Sequence, residues 1–90
     1  MSSDLTDDQI KADLMYRLLR KNCWGAKYLP LDTLVSWIGG HVKRDGKRVR
    51  MCADELNKDG YLIAHKKGET VSLNPARSRE ISEFVDRNLR

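Results

Sequence analysis

KRDGKRVRMCADELNKDGYLIAHKKGETVSL, residues 43–73, is the stretch whose reading decides the fold. Between Asp45 and Lys58 the apolar residues Val49, Cys52, Ala53 and Leu56 fall on one stripe at helical spacing, so the spacing predicts a helix over 45–58. Asp59-Gly60 supplies the left-handed residue that commonly closes a helix. YLIAH and TVSL, rich in β-forming residues, then flank Lys66-Lys67-Gly68-Glu69, whose glycine permits the positive φ of a tight reversal. Residues 61–73 therefore read as one hairpin.

Working towards the N-terminus, LDTLVSWIG repeats Leu31, Leu34, Val35 and Ile38 at i, i+3, i+4 and i+7. This predicts a helix over 31–39, with Asp32 as its N-cap and Gly39-Gly40 as its stop. Tyr28 and Leu29 can pair as a short edge strand before Pro30 interrupts. Ile10, Leu14, Met15, Leu18 and Leu19 give an amphipathic helix over 7–22, started by Thr6, Asp7 or Asp8 and ended by Gly25. Residues 1–6 read as disordered. Towards the C-terminus, Asn74-Pro75 provides an N-cap with proline at the first helical position, and Ile81, Phe84, Val85 and Leu89 form the apolar face of a helix over 75–89. The fold class is α+β, mainly α: three helices and a two-stranded hairpin around one core, followed by a fourth helix.

Ninety residues suit one domain spanning 1–90. Hydrophobic residues at 40% and charged residues at 33% are those of a folded globular chain. No run approaches the roughly 20 apolar residues of a membrane span, and MSSDLTDDQ carries acid where a signal peptide carries base, so the expected location is the cytoplasm, with no membrane partner. Cys23 and Cys52 are far apart and read as small core residues. Together with His41 and His65 they compose a zinc-type donor set, but all four are isolated where zinc motifs supply ligands in local pairs. No metal and no cofactor is expected. Neither histidine has a nucleophile or an orienting acid at motif spacing, and Gly39-Gly40 lacks the flanks of a phosphate-cradling loop, so no enzyme constellation is present.

The second and third helices, the glycine turn between them and the KDGYLI…VSL hairpin resemble the winged helix-turn-helix superfamily over nearly the whole chain. LNKDGYLI resembles the join between recognition helix and wing, and VSLNPARSREI is similar to the ending of small archaeal winged-helix proteins. The turn from Gly39 to Asp45 is longer than the roughly three to four residues usual in the motif. The resemblance implies duplex DNA as partner and transcriptional regulation as role, with protein or RNA contact as the minority alternative in the superfamily.

Charge agrees with that implication. The net charge is a modest +4, but Lys43, Arg44, Lys47, Arg48 and Arg50 stand against one acid, Asp45, within ten residues. In helix-turn-helix docking the N-terminal part of the recognition helix meets base edges. Arg48 and Arg50 are then the guanine readers, Met51 a contact for a thymine methyl, and Lys43, Arg44 and Lys47 phosphate contacts. Lys66 and Lys67 at the hairpin tip are either contacts for the backbone or minor groove or merely the polar tip any hairpin has. On the first helix Arg17 or Lys21 either adds a phosphate contact or, as the commoner reading of a lone cation on an exposed helix, is merely solvated. Trp24 and Trp37 each adjoin an apolar helical run and read as packing surface rather than base-stacking platforms. On the fourth helix Ile81, Phe84, Val85 and Leu89 either form the seam of a homodimer or simply cover the domain.

Overall fold

A computed structural model describes residues 6–39 and 45–89, with elements in the order α1 (Asp7–Arg20), β1 (Leu29–Pro30), α2 (Leu31–Gly39), α3 (Asp45–Lys58), β2 (Leu62–His65), β3 (Thr70–Leu73) and α4 (Ser78–Leu89). The protein is α+β: four helices with a three-stranded antiparallel sheet of order β1-β3-β2. The turn expected between Gly39 and Asp45, with Lys43 and Arg44, lies outside the described residues, as do residues 1–5 of the N-terminal segment.

Thr6, one of the three cap candidates and the last residue of the stretch expected to be disordered, caps α1. Its hydroxyl accepts from the Gln9 amide at 3.1 Å while the Gln9 side chain accepts from the Thr6 amide at 2.9 Å. Two of the four donors that a helix start leaves open are thereby satisfied reciprocally. The far end of α1 departs from expectation. The helix stops at Arg20 rather than running to Asn22, and Asn22 (φ 59°) closes it in left-handed backbone, while Gly25 (φ 60°) makes a second left-handed turn three residues later. The Cys23 amide donates to the Leu18 carbonyl and the Asn22 amide to that of Leu19, the paired bonds of a Schellman ending. Gly60 (φ 86°) closes α3 in the same way, with Tyr61 donating to Leu56 and Gly60 to Asn57.

The short β1 includes Pro30, which an edge strand tolerates because it needs no donor on its open side. The chain enters α2 at once. The Leu31 amide donates to the Glu69 carbonyl at 2.8 Å, so Asp32 sits inside the first helical turn rather than at the N-cap. β3 is central and buried along its whole length; its Ser72 is kept satisfied by donating to the Gly25 carbonyl at 2.8 Å. That leaves the Ser72 oxygen to accept from Nε2 of His65 at 3.0 Å, which assigns the proton to that nitrogen. The expected helix over 75–89 begins with a 3-10 turn over Pro75–Arg77, capped by Asn74 accepting from the Ala76 amide, before the α-helix proper.

One core joins these elements. Ile10, Leu14, Met15 and Leu18 of α1 meet Leu34 and Ile38 of α2, the Val49, Cys52, Ala53 and Leu56 stripe of α3, Leu62, Val71 and Leu73 of the sheet, and Ile81 and Val85 of α4. At roughly 1.5–3 kcal/mol per fully buried large aliphatic side chain, this burial is the main term opposing chain entropy. Among the described residues no helix is long and apolar enough to cross a membrane.

Candidate nucleic-acid interface

With one stripe of α3 sunk in the core, its remaining residues divide between two directions. One side turns towards α1. There Arg48 donates from Nε to the Asp7 carboxylate at 3.0 Å, and Lys11 meets Glu55 at 2.7 Å. The hydrogen bond to Glu55 holds the Lys11 ammonium above its ordinary pKa. Cys52 also lies on this side, its Sγ 3.8 Å from the Asp7 carbonyl; burial first, and the Asp7 carboxylate next, push its thiol up to about 11.

The other side faces outward and carries Lys47, Arg50, Met51 and Asp54, at i, i+3, i+4 and i+7. Met51 is 57% exposed, a large apolar side chain left in water beside two cations. Together with Val35 of α2 and Gly46, these four residues line an open groove of about 510 Å³. A smaller, more enclosed hollow of about 190 Å³ is lined by Arg50 and Asp54 together with Ala64 and Gly68 of the hairpin. The α2–α3 contact is close at Gly46, where a β-carbon would stand 2.7 Å from Cγ1 of Val35.

Acids accompany the cations. Arg50 is ion-paired with Asp32 at the start of α2, and Asp54 with Lys58 at 3.3 Å. The pairing with Lys58 offsets the charge that Asp54 brings to the groove, and Glu55 is turned away to Lys11.

The structure therefore separates residues that stand together in the sequence. Lys47, Arg50 and Met51 share the outward face. Arg48, with a side chain 25% exposed, turns to α1 and does not join them. Lys66 and Lys67 are exposed at the hairpin tip, and both adopt left-handed backbone (φ 50° and 60°) ahead of Gly68 (φ 89°). Nζ of Lys66 lies 5.3 Å from the ring centre of Tyr28, which also stacks on His65 at 4.9 Å. Tyr28 was no candidate in the sequence, since only the β1–β3 pairing brings it beside the hairpin.

Of the residues considered for a dimer seam, Ile81 and Val85 are buried in the chain's own core, and Phe84 is partly buried against Tyr61 at 6.2 Å between ring centres. The side chain of Leu89 lies outside the described residues. Cys23 and Cys52 are buried free thiols, and among the described residues no group of three or more His, Cys, Asp or Glu is placed to hold a metal ion. Trp24 packs partly buried on the core, whereas Trp37 is 38% exposed, more open than its position beside an apolar run suggested.

Compared with protein-family models, curated proteins and solved structures, the chain matches none of them.

Proposed function

We propose that this protein is a winged helix-turn-helix module that binds duplex DNA as a transcriptional regulator and catalyses no reaction. α3 would lie in the major groove and the β2–β3 hairpin would act as the wing on the phosphate backbone. The observation that carries this reading is the outward row of α3. Lys47, Arg50 and Met51 occupy the first two turns of one helix, facing an open groove, where a recognition helix meets base edges. The element order and the sheet order β1-β3-β2 support it, as do the two exposed lysines at the tip of the hairpin.

The geometry supports a role for each residue. Arg50 is the guanine reader, because its guanidinium shares the groove with Met51; the Asp32 carboxylate holds it in position until a base edge replaces it. Lys47, Lys66 and Lys67 contact phosphates. Arg48 serves the α1–α3 joint through Asp7 rather than the DNA face.

The test is fluorescence anisotropy of labelled random-sequence duplex at low and physiological salt, with the wild type and Lys47→Ala/Arg50→Ala. Saturable binding whose log–log salt slope falls by roughly 0.9 per lost phosphate contact supports the reading. Absence of binding at low salt overturns it and directs the search to a protein or RNA partner.

A further inference from the structure

Val35 and Trp37 are two residues apart on α2, about 200° around the helix. When Val35 faces the α3 groove, Trp37 therefore faces elsewhere, towards the C-terminal half of α1. Three cations meet it there. The Arg17 guanidinium lies 6.0 Å and the Lys21 ammonium 5.9 Å from its ring centre, while Arg20 donates to the Tyr16 hydroxyl at 3.1 Å and lies 5.7 Å from that ring. Asp13, on Arg17, is the one carboxylate among the described residues that is paired with this group. Tyr16 and Trp37 are two of the four large apolar side chains that stay exposed among the described residues.

We propose that this face of α1 and α2 is a second binding surface, for single-stranded nucleic acid. A base would stack on the indole of Trp37, and the flanking phosphates would lie on Arg17, Arg20 and Lys21. Exposed aromatic rings set among cations match a ligand that alternates planar faces with negative charges, which is the design of single-strand binding surfaces. A duplex keeps its bases stacked inside and offers Trp37 nothing to stack on. An acidic peptide would satisfy the cations but leave the ring unused. The cleft lined by Arg17, Arg20, Lys21 and Trp37 is about 250 Å³, below the roughly 300–1,000 Å³ of sites that enclose a small molecule, and suits one planar group held from one side.

The surface is independent of the α3 reading, and the experiment keeps them apart. Trp24→Phe leaves Trp37 as the sole tryptophan, so its emission reports directly on this site. Titration with oligo(dT) and with oligo(U) of about 12 nucleotides should quench that emission saturably, and the two arms tell DNA from RNA preference. Trp37→Leu should weaken oligonucleotide affinity roughly 5- to 150-fold, the range for loss of one base–aromatic stack. The exposed pair Arg20→Ala/Lys21→Ala should lower the log–log salt slope by about 1.4, at roughly 0.7 per contact on a single strand. It tests the proposal even if Trp37→Leu unfolds the chain. Lys47→Ala/Arg50→Ala should leave the quenching intact. No quenching, an unchanged affinity and salt slope in the variants, or equal quenching by poly(glutamate) would each overturn the proposal.

Discussion

Gly46 lies in the first turn of α3, in helical backbone, where glycine is ordinarily a weakness. Replacing it by alanine in an exposed helix would stabilise by up to about 1 kcal/mol through backbone entropy alone. Here the added carbon would stand 2.7 Å from Cγ1 of Val35, roughly 1 Å inside the 3.5–4.0 Å at which carbon atoms rest. Val35 is β-branched and held by its own helix, so it yields poorly, and overpacking of this kind costs about 1–3 kcal/mol. The clash outweighs the propensity. Gly46→Ala should lose about 1–2 kcal/mol net, lowering Tm by roughly 4–8 °C for each kcal/mol in a chain of this size.

Urea unfolding followed by circular dichroism reads the difference, and Val35→Ala supplies the partner for a double-mutant cycle. If the close α2–α3 approach is the cause, Gly46→Ala should be tolerated or favourable once Val35 is shortened, with a coupling of about 1–3 kcal/mol. Because Gly46 and Val35 also line the groove of Lys47 and Arg50, the single variant should weaken duplex binding and the double variant should restore it. Stabilisation by Gly46→Ala in the wild-type background would refute the reasoning, since propensity would then have prevailed at an unconstrained contact.

Asp32→Asn should change stability by less than about 1 kcal/mol, because the Arg50–Asp32 pair is largely exposed, yet tighten duplex binding up to about fivefold by removing an acid that competes with DNA for Arg50. Lys67→Gly should raise stability by about 1 kcal/mol, because a left-handed residue with a side chain is strained there, while weakening duplex binding and shortening its salt slope; thermal melts and anisotropy separate the two effects. The Cys52 thiol, pushed up to about 11 in the folded chain, ionises near 9 when unfolded. Between those pH values the unfolded chain holds fewer protons than the folded one, so this contribution, about 2–3 kcal/mol, is intact below pH 9 and lost as pH rises to 11. Urea midpoints at pH 8 and 10.5 should fall less steeply in Cys52→Ala than in the wild type.

Where a local signal decides the chain's course, the sequence was enough. α2 and α3 start and stop where glycine and the apolar stripes place them, and Gly60 closes α3 with the bonds its position implies. The end of α1 was illegible because two residues could take the left-handed turn. Both do: Asn22 closes the helix and Gly25 turns the chain again, with the Leu73 amide donating to the Cys23 carbonyl and the Gly25 amide to the Leu73 carbonyl, bonds that only the assembled sheet makes. At the other end of α1 the sequence offers Thr6, Asp7 and Asp8 as caps, and the reciprocal bonds with Gln9 select Thr6.

The site divides along the same line. The basic run of residues 43–50 looks like one patch because charge density is a property of the sequence, but a helix turns about 100° per residue and distributes it. Arg48 falls at the border of the apolar stripe, where direction depends on a neighbour, and that neighbour is Asp7, 41 residues away. Trp37 sits at the edge of the Leu34–Ile38 stripe in the same ambiguous sense. Its exposure was settled by what α1 sets against it, and α1 sets cations. An aromatic ring bordered by apolar side chains would have been packing surface; the same ring bordered by Arg17, Arg20 and Lys21 remains solvent-facing and polarised. Residues at the edge of a stripe are thus where sequence periodicity loses its power, and in this protein both differences at the surface, Arg48 withdrawn and Trp37 displayed, arise there.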